Sequence, residues 1–143
     1  MSNAIGGPGW LLQHSVHGAG VYSTIVEVGD IKGPAQALDT DEVTNQSSPN
    51  SYKEFIATVL DGGDVTFPCN YIPGEGTQDA VTGLLSWMQA RGLQDWKIIP
   101  PGAASSHTIL FSAFVTKWDL GLPTVKHAEL AVTLKITGPV STN

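Results

Sequence analysis

The chain has a single cysteine, Cys69, among 143 residues. No intrachain disulfide can form, and no set of thiolates exists to hold a metal. Basic residues are also scarce. Seven lysines and arginines stand against thirteen acids, a net charge of -6, and Lys32, Lys53, Arg91, Lys97, Lys117, Lys126 and Lys135 are never adjacent. Proteins that grip nucleic acid gather Lys and Arg on one face to displace counterions, so this scatter argues against tight nucleic-acid binding. No run reaches the roughly 18 apolar residues of a membrane-spanning helix. The opening MSNAIGGPGWLLQ lacks the basic region of a secretory signal, which predicts synthesis in the cytoplasm.

Catalytic and cofactor motifs are missing in the same way. No Gly-rich nucleotide loop, P-loop or nucleophile elbow occurs. His14 and His17 are three apart, a spacing that suits a metal only on a rigid helix, and the Gly-rich segment around them does not supply one. Ser105, Ser106 and His107 adjoin, but adjacency in sequence does not pair a nucleophile with a base. Asp61 and Asp64 flank a Gly-Gly turn, and bonding back to the turn backbone accounts for both. These absences predict no enzymatic activity, no metal and no cofactor. Cys69, on the apolar face of a strand, reads as a small buried hydrophobe.

What the chain does have is turns, short strands and an uncharged surface. Charged residues make up only 14% and hydrophobic ones 41%, with sixteen glycines, nine prolines and four tryptophans. That size and apolar content suit one domain with its own core, and a surface so poor in charge leaves room for subunit contacts. After the turn at 61–64, Val65, Phe67, Cys69 and Tyr71 alternate with Thr66, Pro68 and Asn70, the period of a half-buried strand. Pro68 cannot donate to a ladder, which marks this strand as an edge where another subunit could pair.

Elsewhere the pattern predicts a short helix or turn over residues 51–60 that places Tyr52, Phe55, Ile56 and Val59 in the core. A longer helix is expected after Gly74, capped by Thr77, striped by Val81, Leu84, Leu85 and Met88, and closed at Arg91 and Gly92. Strands are expected over 21–31, 94–99, 106–118 and 125–137. In the last of these, Leu130, Val132, Leu134 and Ile136 alternate with outward Thr133, Lys135 and Thr137. The sum is a mainly β fold, a sandwich or barrel with one packed helix.

Residues 1–20 hold five glycines around the apolar knot Trp10, Leu11 and Leu12 and read as a flexible arm. The knot would be covered by a neighbouring subunit or by folding back on its own domain. The domain proper spans 21–139. Within it residues 33–49 form a long polar loop bearing Asp39, Asp41 and Glu42, and a loop of that length is usually functional. Residues 140–143 are a short tail.

Four segments in order resemble the tail tube proteins of long-tailed, non-contractile bacteriophages. They are Ser48-Pro49 to Tyr52, Glu54, Phe55 and Ile56, running on through Asp61-Gly62-Gly63 to Val65 and Phe67; Trp96 and Ile98 with Pro100-Pro101; residues 111–118; and residues 128–139. Together they cover roughly residues 22–139.

The resemblance implies a structural virion protein, assembled in the host cytoplasm into stacked hexameric rings that form the conduit for DNA ejection. Its partners would be further copies of itself, the tail tip, the tape measure and the terminator. DNA would pass without specific binding, and no membrane would be involved. On that reading Trp10, Leu11, Leu12, Asp39, Asp41, Glu42 and Pro68 are candidate contacts between subunits or rings, and Thr133, Lys135 and Thr137 would face the lumen. The alternatives are a secretion-machine tube protein and a carbohydrate-binding β sandwich, the latter requiring tryptophans clustered on an exposed face.

Overall fold

The structure, a computed structural model, describes residues 9–79, 82–102 and 106–142. It is mainly β, with one helix. The strands in chain order are β1 Leu11–Val16, β2 Ser23–Thr24, β3 Ala37–Glu42, β4 Phe55–Asp61, β5 Asp64–Asn70, β6 Gln94–Ile99, β7 Ile109–Gly121, β8 Glu129–Ile136 and β9 Ser141–Thr142, with helix α1 at Leu84–Ala90 between β5 and β6. Seven strands form one antiparallel sheet in the order β2-β1-β6-β7-β8-β5, with β9 beside β7. β3 and β4 pair only with each other.

The sheet buries one face, and period-2 alternation decides which side chains lie there. On β8, Leu130, Val132, Leu134 and Ile136 are buried. They run beside Val65, Phe67 and Cys69 of β5 and Ala113 and Val115 of β7, with Trp96, Ile98 and Leu12 continuing the core. A register shift between Val115 and Lys117 inserts one extra residue in β7, so that Trp118 and Leu120 return to the packed face. Burial raises the Cys69 thiol to about 12, which makes it an inert core residue.

Of the arm expected over 1–20, residues 1–8 lie outside the described residues, and the remainder is corrected by this sheet. Residues 11–16 pair with β6 from Leu11 opposite Ile99 to Val16 opposite Gln94. Leu12 is core, Trp10 packs against the core, and Leu11 points to the other face. An alternating apolar segment next to a free sheet edge gains backbone bonds and burial together, which outweighs its glycine-rich flanks. The strand expected over 21–31 reduces to β2 and one isolated bridge, Val28 to Cys69, with a second, Lys32 to Thr66, just beyond it.

The helix is shorter than the apolar stripe predicts. Its N-cap is Gly83 and its C-cap is Arg91, held in the left-handed region. Thr77 caps nothing, because its hydroxyl accepts the Val26 N–H. Val81 lies outside the described residues. Next to Thr77, fully buried Gln78 ties three segments together. Its Oε1 accepts the Ile72 N–H at 2.9 Å, its Nε2 donates to the carbonyls of Asn70 and Val26, and its own carbonyl accepts from Trp118 Nε1.

His14 is the second polar group in the core. Its Nε2 is 2.8 Å from Gln94 Oε1, its ring stacks on Trp87 with centroids 3.5 Å apart, and it meets Trp96 edge on. Burial outweighs the Gln94 bond and the nearby Asp95 charge and holds its pKa below the ordinary value. A histidine kept neutral in the fold ionises more readily once unfolded. Its contribution to stability is therefore complete above the unfolded pKa of about 6.5 and is lost as pH falls from there through the folded value. Urea unfolding at about pH 7.5 and about pH 5 should show a lower midpoint in acid. His14→Phe should be less stable at the higher pH yet change less between the two.

A second prediction concerns the turn joining β4 to β5. Gly63 has φ +74°, and a Cβ there would meet the Ala35 carbonyl. Gly63→Ala should lower stability by roughly 1–3 kcal/mol, combining backbone strain with a displaced neighbour. The check is the shift in denaturation midpoint.

Candidate assembly surfaces

β3 and β4 form a ribbon that has left the sheet. Every residue of both strands is exposed, and the pairs run from Ala37 opposite Asp61 to Glu42 opposite Phe55, with a bulge in β4 at Thr58 and Val59 opposite Asp39. Both faces carry apolar side chains. Leu38, Leu60, Ala57 and Phe55 share one face, and Ile56, opposite Asp41, lies on the other. Six residues of ribbon at about 3.4 Å each reach about 20 Å from the body.

Two sequence expectations change here. The polar stretch over 33–49 is not a structureless loop, since residues 37–42 are strand. Residues 55–61 are strand as well, not a helical turn, and Tyr52, Phe55, Ile56 and Val59 are exposed instead of core. The helical spacing of those four gives way to strand because the neighbouring residues 37–42 supply a pairing partner.

The ribbon is ordered at both ends. At the tip, the Asn45 carboxamide oxygen accepts from the Ser47 N–H, the Ser48 hydroxyl donates to Glu54 Oε2 at 2.7 Å, and the Glu54 N–H donates to the Thr44 hydroxyl. At the root, Gly62 lies against Ile136 and Gly63 against Ala35, with no room for a side chain at either. Asp61 Oδ1 accepts the Gly63 N–H. The ribbon is strongly acidic. Residues 37–61 contain Asp39, Asp41, Glu42, Glu54 and Asp61 against Lys53, a net of -4 out of the chain's -6.

Pro68 does sit on a terminal strand of the sheet, but that edge is not open. Residues 27–35 run along it, with Gly29 N–H donating to the Pro68 carbonyl, Asn70 N–H to Glu27, and Thr66 and Lys32 exchanging both bonds. The missing Pro68 N–H falls on this outer side, where the chain's own segment already occupies the edge. The open edge is elsewhere. β6 pairs with β7 only as far as Gln94 opposite Ala113, so from Phe114 to Gly121 β7 has a strand neighbour, β8, on one side alone.

The solvent-facing side of the sheet is nearly balanced in charge and polar over much of its area, with Leu11 and Phe114 exposed on it. Thr133 and Lys135 lie on it, with exposed Thr137 just beyond the strand. Lys135 Nζ is 3.6 Å from Asp64 Oδ1, and Lys97 Nζ sits 4.0 Å from the centre of the Tyr22 ring. Exposed pairs of this kind add little stability.

On the same side, three side chains of catalytic type meet unforeseen by sequence spacing. Asp95 Oδ1 accepts from Ser112 Oγ and bonds His17 Nδ1, both at 2.7 Å, and Oδ2 accepts the Gly18 N–H. Burial opposes ionisation of Asp95, but these bonds outweigh it and hold the carboxyl below its usual range. The order is wrong for nucleophilic catalysis. The carboxylate sits between serine and histidine, so the serine has no base. What the trio does is tie the β1 turn to β6 and β7. Of the serines and histidine set aside on sequence grounds, Ser105 lies outside the described residues, and Ser106 and His107 are exposed. Among the described residues there is no cluster of three or more His, Cys, Asp or Glu suited to a metal.

A carbohydrate platform is also missing among the described residues. Trp96 is fully buried, Trp87 packs beside it, and Trp10 and Trp118 are half-buried against the core.

No family model and no curated protein matches the chain. Solved structures do match along its whole length. A chain from the tail of an empty gene transfer agent particle, a helical assembly of C6 symmetry, superposes with TM-score 0.78 at 14% identity, covering 98% of this chain and 99% of that one. A chain of the sheath/tube terminator of the extracellular contractile injection system PVC gives TM-score 0.76 at 15% identity over 100% and 99%. The SPP1 tail tube gives 0.72 at 10% identity over 98% and 79%. At such low identity the likeness is one of fold, and the fold of this chain is that of tail and injection-machine tube proteins.

Proposed function

We propose that this chain is the structural subunit of a bacteriophage tail tube, a virion component whose copies form hexameric rings that stack into a hollow conduit for DNA. The observation that carries this reading is the β3–β4 ribbon. An isolated two-stranded ribbon is at best marginally stable in water, and this one exposes Leu38, Phe55, Ile56, Val59 and Leu60, which no described residue of its own chain covers. A tube supplies the cover, because the next ring meets every ribbon.

Within a ring, the unpaired stretch of β7 from Phe114 to Gly121 is the place for a neighbour's strand to continue the sheet, since its backbone groups seek partners. The polar face bearing Thr133, Lys135 and Thr137 then lines the lumen. A face of threonines and balanced charges gives the DNA backbone no basic patch to hold it. Closure by rotation completes a ring, while ring-on-ring contact is heterologous and repeats without limit until other tail proteins, at the tip and the terminus, stop it. The role is mechanical, with no catalysis.

A contractile machine's tube is a second reading, favoured by the likeness to the PVC sheath-tube complex at TM-score 0.71. Co-assembly with a sheath protein separates the two.

The test is light scattering behind size exclusion across a concentration series, in the presence and absence of tail-tip complexes, with negative-stain microscopy of the same fractions. Tubes with a central hole are expected. A chain that stays monomeric even with tail tips refutes the reading. The double variant Val59→Asp, Leu60→Asp should leave the monomer's circular dichroism and melting unchanged, because both residues are exposed, yet abolish tube formation.

A further inference from the structure

Strand β7 has a cavity at its start and an exposed apolar loop after its end. At the start, Ile109 lies opposite Ile98 of β6, and Val28 and Ile31 pack against the same core from the segment that runs along β5. Between them is a cavity of about 650 Å³. The side chains that line it are apolar, from Trp10, Val28, Ile31, Ile98 and Ile109, apart from Asp30, the one charged residue in its wall. Past Gly121, residues 122–128 lead from β7 into β8. There Leu122 is 69% exposed and Val125 88%, and Lys126 follows Val125 directly. β7 is 13 residues long, so at about 3.4 Å per residue the cavity and the loop are about 40 Å apart. The loop cannot reach the cavity of its own chain.

We infer that, in the tube proposed above, on which this inference rests, Leu122 and Val125 of one copy enter the cavity of a copy in the adjoining ring, with Lys126 against Asp30. Three features select a second copy as the occupant. Every copy carries both parts at opposite ends of one strand, so the contact is heterologous and passes from ring to ring. The two sides also match in chemistry. Branched aliphatic side chains three residues apart need apolar cover, and the cavity is walled by aliphatic residues and a tryptophan. The charges, finally, are opposite and unused. Among the described residues the ion pairs are His17 with Asp95, His127 with Glu129, and Lys135 with Asp64, which leaves Asp30 and Lys126 without one. Lys32 is exposed two residues beyond Asp30 but does not line the cavity.

This contact is separate from the β3–β4 ribbon, none of whose residues lines the cavity. It would fix the rotation of one ring on the next. A sideways shift takes Val125 out of apolar cover and parts Lys126 from Asp30, so both terms favour one setting.

A charge swap tests the docking, with tail-tip complexes present in every assay. Asp30→Lys and Lys126→Asp each put like charges at the contact, and each should lose most tube formation. The monomer's circular dichroism and melting should stay unchanged, because both residues are exposed. The two changes combined should restore tubes, which a merely structural role for either residue would not do. Singles that assemble like the unmodified protein, or a double variant no better than the singles, overturn the docking. As a second arm, oxidised tubes of Asp30→Cys with Lys126→Cys should give a ladder of covalent oligomers on a denaturing gel, and neither single variant should, since Cys69 is buried and unreactive. Tubes of that variant without a ladder give the cavity to some other occupant and overturn the docking, while leaving the tube reading intact. If the unmodified protein forms no tubes at all, the tube reading itself falls, and the docking with it.

Discussion

The strip of side chains on β8 is what the rest of the molecule hangs from. Leu130, Val132, Leu134 and Ile136 lie between the buried residues of β5 and β7, so three strands share one apolar surface and bury it together. Burial at about 25 cal/mol per Å² rewards this alignment and penalises a one-residue slip, which would turn the whole set to water. Because register is held so firmly there, both ends of the β5–β8 ladder are placed, and with them the ribbon root at one end and the 122–128 loop at the other.

Polar groups inside the core are few and fully engaged. Gln78 satisfies the ends of three segments that secondary structure leaves unpaired, and His14 stays neutral between Gln94 and two tryptophans. Leaving such a group without its partner costs about 1–3 kcal/mol, so each fixes a unique arrangement of loops that apolar packing alone would tolerate in several forms. The Asp95, Ser112 and His17 cluster does the same on the solvent side. It contains the residue types of a hydrolase, arranged so that they brace the sheet and activate nothing.

The ribbon departs from this economy. Its strands hold a large share of the exposed apolar side chains and two thirds of the net charge. Apolar side chains favour cover by another chain, whereas clustered like charge opposes crowding and weakens with salt. In the proposed tube, association is set by the balance of the two, and the side chains that tilt it lie outside the core.

Much of the fold was legible in the chain because strict alternation leaves few options. Residues 64–70, 94–99 and 129–136 carry that period, and the structure has strands there. The inward set on β8 and Cys69 as a core residue were readable for the same reason. Four segments of resemblance pointed to the tube fold, and the structural likeness is to that fold.

What local pattern could not decide was partnership. Trp10, Leu11 and Leu12 look like an arm until β6 offers a free edge, and Phe55, Ile56 and Val59 look like core until residues 37–42 pair with them away from the sheet. Pro68 marks an edge, but only the fold shows that residues 27–35 cover it and that β7 beyond Ala113 has a strand neighbour on one side alone. Hydrophobicity at a position says that a side chain seeks cover. Whether the cover comes from its own sheet or from elsewhere depends on contacts between residues far apart in sequence, and those exist only once the chain has folded.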